Sequence, residues 1–318
     1  MTAYLVTILI FVCIAILLGF ALNLQWGVCG MANFGLVGFF TLGAYAAALV
    51  ALSGAGSLAA VAVAALVCAA GSAGLALISL RLSDEYLAIL TLGFGQVIGL
   101  VALSEDWLTG GSLGLSGIPR PLAGLVPEAN YEPVFLLLLI VSVAAIYVAL
   151  ELLQRSPFGR VLRAIRDDDV VAATLGKNVA AMRVKAFAIG GAIIGVAGAF
   201  HSFYLSYIDP SQFTTAITGY TFMAVIIGGR GSNKGLVLGA ATIIALIEST
   251  RFLKDAVEIV DAGQLAALRL IFVGAGLVLV LIYRPQGIAS EYQLKSASLF
   301  GREDGRPIEA APAEGERS

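Results

Sequence analysis

Few residues in this sequence have the type and position needed for chemistry. Glu248 and His201 are the main ionisable side chains within long apolar stretches, where any charged group is a candidate functional residue. Glu248 lies near the end of its stretch and His201 lies among aromatic residues, so interfacial placement and packing also account for them. A single histidine cannot form a proton relay with others of its kind.

The cysteines and the glycine-rich stretches do not form a recognised catalytic or metal site. Cys13, Cys29 and Cys68 all lie in apolar stretches without CxxC spacing, so we expect buried thiols, no metal and no other cofactor. The stretch 229–235 lacks the GxxxxGK[ST] spacing of a phosphate-binding loop. If ATP is used, it must therefore be hydrolysed by another chain.

The segment 155–185 is the most informative part of the sequence, with seven of the 19 lysines and arginines. Ser156 is a candidate N-cap for a short helix, with Pro157 at the first helical position. A second short helix follows the acidic run 167–169 and is predicted to end at Gly176.

Arginines and apolar residues lie on separate faces of the first short helix. Arg160, Arg163 and Arg166 recur at three-residue spacing, while Val161, Leu162 and Ile165 belong to another face. A short amphipathic helix pair suits a groove on a partner protein. It also suits a basic loop that fixes membrane orientation and contacts anionic lipid, and the spacing alone leaves both open.

The composition indicates a protein embedded in lipid. Hydrophobic residues make up 59% of the 318 positions and charged residues 13%, against about 25% charged residues in a soluble domain. Apolar stretches near the roughly 20 residues that cross a bilayer predict an all-α membrane protein, a polytopic bundle of about eight to ten helices. The predicted spans are 4–24, 28–52, 58–80, 86–104, 133–153, 183–207, 212–229, 235–253 and 265–283.

Two of these spans carry unusual residues. The span 212–229 is short and polar, which is typical of a re-entrant or broken helix shielded from lipid. In the second span, the glycines of 30–38 fit either close helix packing or an interruption around Asn33 near a substrate path.

The charge distribution predicts the orientation. The basic segment 155–185 is placed in the cytoplasm, and the loop 105–132, with one basic and four acidic residues, is placed outside. The amino terminus is then outside and the carboxyl terminus cytoplasmic. We expect one membrane domain over 1–289 and a disordered cytoplasmic tail over 290–318.

An ordered set of motifs over residues 20–290 resembles the LivM-type permeases of branched-chain amino acid ABC importers. Each motif is weak alone, but their order is specific. They are Asn23 to Tyr45 with Gly43-Ala44-Tyr45, Tyr86-Leu87-Ala88-Ile89-Leu90-Thr91-Leu92, Thr109-Gly110-Gly111 with Gly114-Leu115-Ser116-Gly117-Ile118-Pro119, Ser156-Pro157-Phe158-Gly159-Arg160 through Gly176, Gly228-Gly229-Arg230-Gly231-Ser232, and Arg284-Pro285-Gln286-Gly287.

The resemblance implies a permease subunit in the bacterial inner membrane, surrounded by lipid. Its implied partners are ABC ATPase subunits, a second homologous permease and a periplasmic substrate-binding protein. No binding of nucleic acid is expected. The segment 155–182 would be the coupling loop that receives the motion of the ATPase and rocks the spans. The implied coupling residues are Ser156, Pro157, Phe158, Gly159, Arg160, Arg163, Ala164, Arg166, Ala172, Leu175 and Gly176.

A substrate path is predicted near the polar and glycine-rich motifs. The sequence departs from the family pattern at Gln96, at Leu113 and in the basic turn 230–234, so the substrate is less well specified than the mechanism. The cargo is expected to be a branched-chain or related amino acid, with urea or a short amide as the alternative. The predicted path residues are Asn33, Phe34, Tyr86, Thr91, Gln96, Gly110 and Gly111.

Three other protein classes remain as alternatives. An ion-coupled secondary transporter or channel would be favoured by several charges buried at mid-membrane, which this sequence lacks. An intramembrane enzyme is disfavoured because paired membrane aspartates and an HExxH helix are absent. A structural membrane subunit would share the composition of a transporter.

Overall fold

The chain folds into a bundle of α-helices in the computed structural model, which describes residues 2–80, 82, 84–122, 126–127, 130–256, 271, 274–276, 278, 282 and 287–289. The predicted tail 290–318 and most of the predicted span 265–283 lie outside these residues. So do the motif residues 284–286. The sequence predictions for those parts stay predictions.

The helices follow the predicted apolar stretches closely. Among the described residues, five helical segments are long and apolar enough to cross a membrane: Tyr4–Val28, Ser57–Ser79, Glu85–Ser104, Tyr131–Arg155 and Val179–Leu205. The α-helices are α1 (Thr2–Leu22), α2 (Leu36–Leu52), α3 (Ser57–Ser79), α4 (Asp84–Ser104), α5 (Asp106–Thr109), α6 (Tyr131–Arg155), α7 (Pro157–Asp167), α8 (Asp169–Thr174), α9 (Val179–Leu205), α10 (Thr215–Gly228) and α11 (Asn233–Ala256).

The second predicted span is interrupted, as one of the two interpretations of its glycines requires. The π-helix Asn23–Val28 extends α1, and α2 begins only at Leu36, so the predicted start of a helix at residue 28 is wrong. The segment 29–35 between them is not helical, and Gly30 has φ +89°. Non-helical backbone at membrane depth is tolerated where protein shields it, and both Met31 and Asn33 are buried here.

Helix α10 is short, as its sequence predicts. Its 14 residues span about 21 Å at 1.5 Å per residue, against roughly 30 Å of hydrocarbon. A 3-10 helix, Pro210–Gln212, precedes α10, and the tight turn 229–232 returns the chain into α11. Helices α10 and α11 pack against each other along their lengths.

Glycines let the central helices approach closely. Helix α9 packs against both α2 and α3. A Cβ added to Gly43 would lie 2.7 Å from the Cα of Gly195, and one added to Gly38 would lie 2.6 Å from the Cα of Gly95 on α4. Small residues therefore bring the backbones together where hydrophobicity gives no driving force in lipid.

The two ends of the bundle carry different structures. At one end, β1 (Leu115–Ser116) pairs antiparallel with β2 (Tyr207–Ile208), which ties the loop after α4 to the segment after α9. A second 3-10 helix, Gly111–Leu113, belongs to the same end. The opposite end carries α7 and α8 and is called the α7 end below.

Candidate functional site

Helix α7 lies tightly against the end of α6. The backbone of Gly159 approaches Gln154 so closely that an added Cβ would lie 2.5 Å from the Cα of Gln154. Leu162 and Ile165 on the same side of α7 are buried. The predicted apolar face therefore packs against the membrane domain and is not available to a partner.

Ser156 occupies the predicted N-cap position, and Pro157 is the first helical residue. Its hydroxyl does not cap the helix, however, but donates to the carbonyl of Leu153 at 2.6 Å. The residue thus closes α6 while its extended backbone turns the chain into α7, with the Arg160 N–H donating to the Ser156 carbonyl at 3.2 Å.

The second short helix, α8, is capped by an acidic residue that the sequence motifs did not single out. The Val171 N–H donates to Asp168 Oδ1 at 2.9 Å, so the acidic run starts α8 and does not merely interrupt the loop. Arg183 on α9 pairs with Asp169 at 3.0 Å and holds α8 to the bundle. Gly176, with φ +76°, follows the helix as predicted.

The eleven predicted coupling residues divide by exposure. Gly159 and Ala172 are buried, and Ser156, Phe158, Arg163 and Arg166 are half-buried. Exposed apolar residues of α8 that the prediction omitted, Val170 at 69% and Val171 at 52%, lie near Leu175, which is 72% exposed. The exposed members of the predicted set are Pro157, Arg160, Ala164, Leu175 and Gly176.

All three periodic arginines of α7 donate to backbone carbonyls outside that helix. Arg163 donates through Nη2 to the Gln154 carbonyl at 2.7 Å. Arg166 donates through Nη1 to the Gly27 carbonyl at 2.6 Å. Such charge-assisted bonds are short and stronger than neutral ones, so α7 is fastened at two points. Arg160 is exposed, and its Nη1 donates to the Arg155 carbonyl, also at the end of α6, at 3.3 Å.

The Arg166 contact leads directly into the interrupted segment. Gly27 belongs to the π-helix, and two residues earlier Gln25 Oε1 accepts a hydrogen bond from Asn33 Nδ2 at 2.9 Å. Asn33 Oδ1 in turn accepts from the Gly35 N–H at 3.0 Å, and Gln25 Nε2 donates to the Phe187 carbonyl of α9 at 3.2 Å. The interruption is therefore held by a buried amide network.

Phe34 projects from this network beside α4 and α10. Its backbone N–H donates to Thr91 Oγ1 at 3.0 Å. Its ring stacks on Phe222 with centroids 4.5 Å apart, and Trp26 contacts Phe222 at 5.1 Å. Phe34 is 38% exposed, so one face of this aromatic group reaches the surface of the chain.

The predicted path residues do not form one site. Asn33, Phe34 and Thr91 lie together around the interruption, as the preceding contacts show. Gln96 is exposed further along α4, where its Nε2 donates to Thr215 Oγ1 at 3.0 Å.

The other three predicted path residues lie apart from this group. Tyr86 is 60% exposed near the start of α4. Gly110 and Gly111 have φ +73° and +57° and form the turn that follows α5, at the β1–β2 end.

The two ionisable candidates have structural surroundings. The Tyr4 hydroxyl donates to Glu248 Oε2 at 2.8 Å. His201 is buried and packs against Phe40 and Phe213, with centroids 5.1 and 5.6 Å away, beside an apolar cavity of about 260 Å³. Over the described part of the chain, no cluster of three His, Cys, Asp or Glu side chains is placed to hold a metal ion.

Sequence reasoning missed Gln25 and Phe222 in this region. Phe222 is an apolar residue in an apolar helix, so nothing in its own segment distinguishes it. Its contact with Phe34 joins residues that are far apart in sequence. Gln25 is a lone amide in an apolar stretch, which is a usable signal, because a buried amide needs partners.

Comparison with known proteins supports the predicted resemblance. A family model described as the permease component of the branched-chain amino acid transport system matches residues 4–281. The high-affinity branched-chain amino acid transport system permease protein LivM of Salmonella typhimurium is 32% identical over 317 residues, covering 91% of this chain and 72% of that protein.

Two further relatives agree. LivM of Escherichia coli is 32% identical over 298 residues, covering 86% of this chain and 67% of that protein. A probable branched-chain amino acid transport permease protein LivM of Methanocaldococcus jannaschii is 31% identical over 218 residues, covering 67% and 62%. With its apolar membrane-crossing helices, this chain is a multi-pass membrane protein that belongs to the family of branched-chain amino acid transport permeases.

Proposed function

We propose that this chain is the membrane-spanning subunit of an ABC importer that carries branched-chain amino acids, and that α7 and α8 receive the motion of a separate ATPase. The family and the relatives support transport by a permease. The observation that carries the coupling proposal is the attachment of α7, through Arg166, to the Gly27 carbonyl.

The α7 end is proposed to face the cytoplasm of the cell. Its exposed surface carries Arg160 and Lys177, and the positive-inside rule places such short basic loops in the cytoplasm. The β1–β2 end then faces the outside, where a substrate-binding protein would deliver its cargo. This orientation places α7 and α8 where an ATPase of the inner membrane would bind.

The exposed face of α8 supports a protein partner over a purely lipid-facing loop. Val170, Val171 and Leu175 expose apolar side chains within one short segment. An exposed apolar patch on a segment that faces water marks an interaction site. The ion pair between Asp169 and Arg183 connects α8 to α9, so a push on α8 would reach the bundle.

The motion that α7 and α8 receive from the ATPase is proposed to end at the interrupted segment 29–35. Movement of α7 would displace the Gly27 carbonyl, and the Gln25–Asn33 hydrogen bond would transmit that displacement to Phe34. The Phe34–Phe222 stack is a small contact between the interrupted segment and α10, which suits a gate that opens and closes. A second permease would complete the path along the exposed face of α4.

Reconstitution tests this proposal. The chain is combined with its second permease, the ATPase and the binding protein in proteoliposomes, and uptake of radiolabelled leucine is measured with ATP enclosed. The proposal expects ATP-dependent uptake that excess isoleucine or valine inhibits. Uptake of urea in preference to leucine would contradict the proposed cargo, and ATP-independent uptake would contradict the proposed class.

A further inference from the structure

A polar cavity of about 160 Å³ lies at the α7 end, between α6, α7 and the start of α11. One water needs only about 10–15 Å³ of such space, so the cavity has room for a small polyatomic ligand. Three cationic side chains line it, Arg155, Arg163 and Lys234, together with the single carboxylate of Glu151. Glu151 is paired with Arg155 at 2.7 Å.

Arg163 and Lys234 thus remain as positive charges that no described carboxylate offsets. Arg163 is held by its bond to the Gln154 carbonyl, which leaves the rest of its guanidinium as donors. Lys234 is exposed, and the described residues give it no ion pair. The cavity is therefore electropositive.

The first turn of α11 adds to this charge. Ser232 precedes the helix, and its hydroxyl accepts from the Gly235 N–H at 3.2 Å. The 24-residue helix then presents the positive end of its dipole and its first N–H groups at Asn233 and Lys234, on the cavity.

Asn233 supplies independent evidence that an acceptor belongs in the cavity. This residue is 2% exposed, it lines the cavity, and its Nδ2 has no acceptor among the described residues. Leaving a buried amide donor without an acceptor is unfavourable, so Asn233 Nδ2 points to an acceptor supplied from the cavity.

Neighbouring hydrogen bonds fix the orientation of the Asn233 amide. The Gly231 N–H donates to Asn23 Oδ1 at 2.8 Å, which turns Asn23 Nδ2 towards Asn233. Asn23 Nδ2 and Gln154 Nε2 both donate to Asn233 Oδ1, at 3.0 and 3.1 Å. The Nδ2 group must then face away from them as a donor.

We propose that this cavity binds a phosphate group, held by Asn233 Nδ2, Lys234, Arg163 and the start of α11. Both an anionic phospholipid headgroup and free phosphate present this chemistry, and the cavity lies at the ends of membrane-crossing helices, where headgroups lie. A bound phosphate would bridge α7 to α11 and so stabilise one position of the proposed coupling helix. The binding itself does not depend on the proposed transport function.

Binding to the purified full-length chain tests the proposal without any transport partner. Inorganic phosphate is titrated calorimetrically into delipidated protein, and retained phosphatidylglycerol or phosphatidylcholine is measured by native mass spectrometry. Asn233→Asp keeps the oxygen that Asn23 and Gln154 donate to but replaces the free donor by a carboxylate. Lys234→Met removes an exposed charge, and Lys185→Met removes a matched exposed charge outside the cavity.

The proposal expects phosphate binding about tenfold weaker in both cavity variants and unchanged in Lys185→Met. Selective retention of phosphatidylglycerol that phosphate displaces would identify the lipid as the source. Phosphate binding without lipid retention would identify the free anion. The absence of both, or equal phosphate affinity in the wild-type chain and the cavity variants, would overturn the proposal.

Discussion

Arg166 of α7 donates a 2.6 Å hydrogen bond to the carbonyl of Gly27, 139 residues earlier in the chain. The acceptor belongs to a π-helix. This geometry is rare in proteins, and where it occurs it is often part of a functional site. A Cβ on Gly30 would lie 3.1 Å from Arg166 Cγ, so the arginine also packs on the start of the interrupted segment. The two residues join the proposed site of ATPase binding to the proposed gate.

Gly159→Ala is expected to lower the stability of the chain. The new methyl group would overlap the backbone of Gln154, and such overpacking costs about 1–3 kcal/mol. Thermal unfolding in detergent can be followed with a thiol-reactive dye, because Cys13, Cys29 and Cys68 are free and buried. Gly74→Ala is the matched control, since open space surrounds Gly74. Equal melting temperatures for both variants would contradict the close contact between α6 and α7.

Thr91→Val is expected to destabilise the interrupted segment. The substitution keeps the shape of the side chain but leaves the Phe34 N–H without its acceptor, at a cost of about 1–3 kcal/mol. Thr91→Ser keeps the hydroxyl and serves as the control. Hydrogen exchange should show faster exchange of the Phe34 amide in Thr91→Val than in Thr91→Ser. Identical exchange would show that this hydrogen bond does not hold the segment.

Leu175→Asp is expected to weaken binding of the ATPase. Leu175 is 72% exposed, so the folded chain tolerates the charge, while an apolar interface would not. Affinity of the purified permease pair for the ATPase should fall at least about tenfold by surface plasmon resonance. Leu113→Asp, at another highly exposed position, in the 3-10 helix of the β1–β2 end, is the control. Unchanged affinity in Leu175→Asp would remove α8 from the proposed interface.

Asp209→Asn is expected to remove part of the acid sensitivity of the β1–β2 end. Burial alone raises the pKa of Asp209, but hydrogen bonds from Ser211 and Gln212 outweigh it and hold the pKa below its ordinary value. The stabilisation is therefore present above the unfolded-state pKa of about 3.9 and is lost as the pH falls through the lower folded-state pKa.

Circular dichroism melts at neutral and at strongly acidic pH measure this effect. The wild-type chain should lose more stability on acidification than Asp209→Asn. A Ser211→Ala variant, which removes one of the donors to the carboxylate, should lie between them. An identical loss in the wild-type chain and Asp209→Asn would show that this carboxylate does not contribute.

The sequence predicts the helices well because the apolar stretches and their lengths reflect the membrane directly. The short α10 and the boundaries of α7 and α8 also follow from local signals, such as the polar residues of 212–229, Pro157 and Gly176. The start of α2 cannot be predicted in this way, because an apolar stretch does not reveal where hydrogen bonds from buried side chains take the place of those within a helix.

Long-range contacts account for the rest of what sequence reasoning could not predict. The periodic arginines 160, 163 and 166 look equivalent in sequence, yet Arg160 and Arg163 bond to the adjoining end of α6, whereas Arg166 reaches the distant carbonyl of Gly27. The Phe34–Phe222 stack and the Asn23–Asn233 bond likewise join residues from distant segments. Such pairings depend on how the helices pack, which the spacing along one helix does not contain.

The most direct test of the central claim compares Arg166→Gln with Arg166→Lys in the reconstituted importer. The quantity measured is leucine imported per ATP hydrolysed, with assembly of the complex checked by size-exclusion chromatography. The account predicts that assembled Arg166→Gln hydrolyses ATP but imports at least about tenfold less leucine per ATP, and that lysine restores part of the ratio. A wild-type ratio in assembled Arg166→Gln would contradict the proposed relay from α7 to Gly27.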